Sequence, residues 1–119
     1  MKVLGYRFCV VHDKAEDLAG LLGKGLGLEE KNMSENPGEF AGSIFPVDQS
    51  WVEVWPTSQG MPACTMLQIV VDDADAFVED AKQRGVDLDG PFDAHGERIY
   101  YLNSPTGMPI SIQSKSSES

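Results

Sequence analysis

The stretch Trp51-Val52-Glu53-Val54-Trp55-Pro56 decides how this chain is read. Side chains on an extended strand alternate between its two faces. Val52 and Val54 then share one face, while Trp51, Glu53 and Trp55 share the other. Paired valines suit a core beneath a helix. A carboxylate between two indoles suits a surface that meets something other than the core. The segment therefore predicts a sheet covered by helices on one side and free for recognition on the other.

Working outward, the same plan occurs twice. Tyr6 to Val11 reads as a strand, and Asp13 is placed to cap a following helix. Ala15, Leu18, Ala19 and Leu22 fall at helical spacing and give that helix a buried stripe. Gly20 and Gly23 weaken it, so packing must hold it. Extended segments are expected near 28–33, 40–46 and 51–55, with turns at Asn36-Pro37-Gly38 and Asp48-Gln49-Ser50. The second half follows the same order. Thr65 to Val71 is a strand, and Asp72-Asp73 caps a helix with the stripe Ala74, Phe77, Val78 and Ala81. Gly85 closes that helix, and strands near 86–89, 97–103 and 109–113 follow. VVHDKAEDL in the first half aligns with IVVDDADAF in the second, which defines an internal repeat of about 60 residues.

The chain has 119 residues, 41% hydrophobic and 24% charged, which is one globular domain and not a disordered one. A net charge of −10 argues against nucleic acid and anionic membrane as partners; it would favour encounters with cationic ligands, and it is also a common solubility device, the plainer reading. No apolar run reaches the roughly 20 residues of a membrane span. The opening MKVLGYRF lacks the apolar stretch of a signal peptide, so a cytoplasmic location is expected. Cys9 and Cys64 are too few for a disulfide framework or a zinc knuckle, and inert thiols are expected. His12, at a strand–helix junction, and His95, in a loop, read as turn residues.

The repeat, the strand-to-helix turn VVDDADAF and the segment HGERIYYLNSPTG together resemble the vicinal oxygen chelate superfamily. That superfamily includes glyoxalase I, the bleomycin-resistance proteins and extradiol dioxygenases. Ser104 and Thr106 stand where its motif usually has aspartates. The resemblance covers residues 1 to about 113 and implies an α+β fold. Two βαβββ modules, about 1–58 and 62–113, would form a curved mixed sheet with helices outside and a ligand cavity inside. Residues 114–119 read as a disordered tail. Metal-dependent members hold a divalent cation through four side chains, which carry over to Tyr6, Glu53, Met66 and Ser111. Only Glu53 is a plausible ligand there, so no metal and no cofactor are expected. The resemblance is thus to the metal-free, bleomycin-resistance-like branch.

Parity assigns Tyr6, Phe8, Trp51, Glu53, Trp55, Met66, Gln68, Ser111 and Gln113 to the cavity face as ligand-binding residues. It gives Cys9 the parity of the core. A carboxylate among aromatic rings is costly to ionise unless a cation or a polar partner offsets its desolvation. The expected function is small-molecule binding, sequestering or sensing a cationic, partly aromatic compound. Pairing of Glu53 with Arg7 or Arg98, or its solvation at a cavity mouth, is the plainer reading of that carboxylate. The alternative function is a lyase, isomerase or other enzyme of the same superfamily, with Glu53 as acid or base and Tyr6 as its partner. A homodimer is expected, with exchange of modules between chains as one form of it.

Overall fold

Val54 is completely buried, packed with Ala15, Ala19 and Phe45 and flanked by Val52, Leu18, Leu22 and Phe40. The valines of the central segment therefore lie beneath the first helix, as the alternation predicts. The computed structural model describes residues 2–36, 38–58 and 60–116. Pro37 of the expected turn and residues 117–119 of the expected tail lie outside them.

The elements run in the order β1 (Val3–Val11), α1 (Ala15–Gly20), a π-helical turn (Leu21–Gly25), β2 (Lys31–Asn32), β3 (Ser43–Val47), β4 (Ser50–Trp55), β5 (Cys64–Val71), α2 (Ala74–Gln83), β6 (Asp89–Ala94), β7 (Glu97–Asn103) and β8 (Pro109–Lys115). This is the α+β pattern strand–helix–three strands, twice over. Backbone contacts divide the chain into two compact units, residues 7–65 and residues 1–6 with 66–119. Among the described residues no helix is long and apolar enough to cross a membrane.

In the unit of residues 7–65 the strand order is β2-β3-β4-β1. β1 pairs β4 in parallel, and β3 pairs its neighbours antiparallel. The expected cap Asp13 is not used at α1. The imidazole Nδ1 of His12 accepts from the Lys14 N–H at 3.0 Å instead, and the His12 carbonyl accepts from Ala15. The helix widens after one and a half turns. Leu26 donates to the Leu21 carbonyl at 2.8 Å, a five-residue closure in a stretch where glycines 20, 23 and 25 resist a regular helix.

In the other unit the order is β5-β8-β7-β6. Asp73 caps α2 through a bond from the Ala76 N–H, as expected. Asp72 instead accepts from the backbone N–H of Lys2 at 3.0 Å. Val71, Ala74, Val78, Tyr100 and Ile112 form this unit's core, with Ile69, Phe77 and Leu88 against it. Two strands differ clearly from the sequence reading, β6 at both ends (Asp89–Ala94 where 86–89 was expected) and β8 at its end. β6 begins three residues later than expected and carries a register shift between Asp89 and Phe92. β8 runs on through Ser114 and Lys115, because the buried Ser114 hydroxyl accepts the free Ala74 N–H at the start of α2.

Candidate functional site

The face of β4 opposite the helix core carries a fixed constellation. Trp51 Nε1 donates to Glu53 Oε2 at 2.8 Å, and Trp55 Nε1 donates to Glu53 Oε1 at 3.0 Å. The three residues share a face only because they are spaced by two along one strand. All three are partly buried. One indole donor on each oxygen offsets part of the carboxylate's desolvation.

A cation already stands beside them. The Arg7 guanidinium lies 3.7 Å from the Trp51 ring centroid. Register explains the contact, since β1 and β4 pair Arg7 with Trp51, Cys9 with Glu53 and Val11 with Trp55. Partners in a parallel ladder point to the same side. Phe8 and Val10 are correspondingly paired with Val52 and Val54. The expected grouping of Phe8 with Glu53 is therefore inverted on β1, and Cys9, assigned core parity from the sequence, belongs to the Glu53 face. Both alternating sets of β1 are largely apolar, so alternation alone could not choose between them. Tyr6 falls in the other unit. Burial, and next the charge of Glu53, push the Cys9 thiol up to about 11.

Gly42 completes the rear of the site. Its φ is +128°, and a Cβ there would stand 2.2 Å from Cε3 of Trp55, so the indole rests directly on glycine backbone. Of the other expected partner of Glu53, Arg98, the Nε donates to Asp75 at 2.9 Å and Nη1 to Asp93 at 3.3 Å.

In the second unit the expected alternation of side chains is present. β5 and β8 pair Gln68 with Ser111 and Val70 with Gln113, apart from the aliphatic pairs Leu67–Ile110 and Ile69–Ile112. Met66 lies partly buried on β5. Ser111 is fully buried and donates to Gln113 Oε1 at 2.7 Å, while Gln113 Nε2 donates to Glu97 Oε1 at 2.9 Å. Glu97 was not a candidate from the sequence. Its link to Gln113 crosses from β7 to β8, and only strand register reveals it.

These donor sets do not fit the superfamily's metal. Each Glu53 oxygen accepts an indole N–H, and the Ser111 hydroxyl is committed to Gln113. Among the described residues no group of three or more His, Cys, Asp and Glu side chains could hold a metal ion. A cleft of about 370 Å³ opens elsewhere in the first unit, lined by Glu16, Lys24, Glu30, Glu39 and Phe40 among others. Two of its carboxylates are already engaged, Glu30 by Ser43 and Glu39 by Asn36. We place the candidate site at Glu53, where the geometry of charge is fixed.

No family model matches the chain, and no curated protein sequence matches it. Solved structures do. A glyoxalase/bleomycin resistance protein/dioxygenase superfamily member from Vibrio splendidus aligns over 92% of this chain and 97% of its own, with TM-score 0.60 and 11% identity. The fold is that of the glyoxalase/bleomycin-resistance/dioxygenase superfamily. Methylmalonyl-CoA epimerase from Mycobacterium tuberculosis aligns over 96% of this chain and 89% of its own, with TM-score 0.61 and 15% identity. An uncharacterized protein from Methanosarcina mazei aligns over 100% and 98%, with TM-score 0.62 and 12% identity. At these identities the likeness carries the superfamily's fold and not any member's chemistry.

Proposed function

We propose that the chain is a metal-free binding protein for a small, cationic, partly aromatic molecule, which it sequesters or senses, with Glu53 as the counter-charge. One observation carries this reading: both oxygens of a partly buried carboxylate are oriented by flanking indoles. A side chain held in this way is ready for a partner and loses little further freedom on binding. The net charge of −10 raises the local concentration of cations around it.

The test uses the chain's two tryptophans, both of which are in the site. Benzylammonium should change their emission saturably, and Glu53→Gln should abolish most of that response. An unchanged titration curve in Glu53→Gln would overturn the reading.

The second reading is an enzyme of the same fold with Glu53 as acid or base. A half-buried carboxylate beside a thiol favours it, but burial and the charge of Glu53 hold that thiol, Cys9, protonated. We also propose a second copy of the chain as a partner, with Phe8 of β1, exposed by 46%, among the apolar side chains it would cover.

A further inference from the structure

We propose that Glu53 is a forked acceptor, selective for a ligand that carries two parallel N–H donors, an amidinium or guanidinium joined to an aromatic body. This rests on the reading of the same face given above and narrows it to one class of cation.

An ionised carboxylate only accepts, and offers about four lone-pair sites over its two oxygens. The protein fills them evenly: Oε2 takes the Trp51 N–H at 2.8 Å and Oε1 takes the Trp55 N–H at 3.0 Å. One acceptor site is left on each oxygen. The flanking indoles also hold the carboxylate from both directions along the strand. A pair of parallel N–H groups matches two equivalent acceptors, as arginine matches carboxylates in bidentate pairs. A single ammonium has no such match.

The aromatic surface argues in the same direction. Cations without N–H donors, such as quaternary ammonium groups, are recognised through the faces of aromatic rings. One face of Trp51 is covered by the protein's own Arg7, 3.7 Å from the ring centroid. The Cε3–Cζ3 edge of Trp55 is packed on Gly42. Trp51, Glu53 and Trp55 are all partly exposed, but one ring face that a quaternary cation would use is already taken by Arg7, whereas each Glu53 oxygen keeps an acceptor site. Recognition is shifted from the ring faces to the carboxylate.

The test titrates tryptophan emission with benzamidinium, benzylammonium, benzyltrimethylammonium and neutral benzamide. Benzamidinium should bind about tenfold or more tightly than benzylammonium, and benzyltrimethylammonium no better than benzamide. Glu53→Gln should remove the advantage of benzamidinium. Glu53→Asp keeps the charge but withdraws it from the indoles, so it should keep cation binding and lose the preference for the fork. Thermal melting of both variants establishes that each is folded. If benzylammonium binds through Glu53 as tightly as benzamidinium, or benzyltrimethylammonium binds as well as either, this inference falls and the broader reading stands. If no cation binds in a Glu53-dependent way, both fall.

Discussion

The Arg7 guanidinium carbon lies over the Trp51 ring, 3.7 Å from its centroid, on neighbouring parallel strands that pair the two residues directly. Trp51 in turn donates its N–H to Glu53. One ring thus joins a cation on its face to an anion at its edge. The electrostatics of the site is built from this contact, and it determines what a ligand can use.

Arg7→Ala should uncover the Trp51 ring. The emission maximum should move to longer wavelength as water reaches the indole. The lost cation–π contact is worth roughly 0.5–2 kcal/mol. The variant should also gain affinity for benzyltrimethylammonium, since the ring face becomes available. Emission spectra and a denaturant titration check both parts.

Gly42→Ala should damage the site without touching a polar group. The added methyl would meet the Trp55 ring at 2.2 Å, at a φ of +128° that side chains rarely adopt. Overpacking of this kind costs roughly 1–3 kcal/mol. We expect a lowered melting temperature and a displaced Trp55 that no longer reaches Glu53, read as altered near-ultraviolet dichroism.

Cys9 should be the slow thiol. With its thiol pushed up to about 11, only about one molecule in a thousand carries the thiolate at pH 8. Cys64 is exposed, so a thiol-reactive dye should label the native protein in two phases. Cys64→Ser should remove the fast one. Burial is the larger cause of the shift and Glu53 the next, so Glu53→Gln should accelerate the slow phase. Equal rates at the two cysteines would contradict the placement of Cys9 beside Glu53.

A separate cluster ties α2 to β7 and should make the second unit sensitive to pH at both ends. Tyr100 and then Arg98 hold the Asp75 carboxyl below its ordinary value of 3.8. A depressed carboxyl stabilises the fold above its unfolded value and loses that contribution as pH falls through the folded value. Burial and then Asp75 raise the Tyr100 phenol above 10.0, so its contribution holds below that value and is lost as pH rises through the folded one. Denaturant unfolding of Asp75→Asn and the unaltered chain should therefore differ most between about pH 4 and pH 10 and converge outside that window.

Much of this architecture was legible in the amino-acid order. Val54 under α1 and Asp73 at the start of α2 follow from alternation and capping chemistry. Trp51, Glu53 and Trp55 had to share a face once the segment was a strand. β1 was misread: Arg7 on the set with Cys9 and Val11 was the one polar signal against a core face, and the choice of face is made by pairing with β4. Asp13 does not cap the first helix, and the His12 ring nitrogen takes the Lys14 N–H just ahead of it. β6 was obscured by Asp89, Gly90, Pro91 and Asp93, all of them residues of turns, with Phe92 as its one large apolar side chain. The Arg7–Trp51 stack and the Glu97–Gln113 bond depend on cross-strand register, which no local pattern encodes.

The central claim is that Glu53 binds a ligand through its charge, and one double comparison tests it. Benzylammonium and its neutral isostere ethylbenzene would each be titrated into the unaltered chain and into Glu53→Gln, read by the emission of Trp51 and Trp55. A charge-assisted contact contributes roughly 1.5–3 kcal/mol, so the substitution should weaken the cation about ten- to hundredfold. It should leave the neutral compound within about twofold. Equal losses for the two compounds would mean that the carboxylate only shapes the site, and would contradict the account.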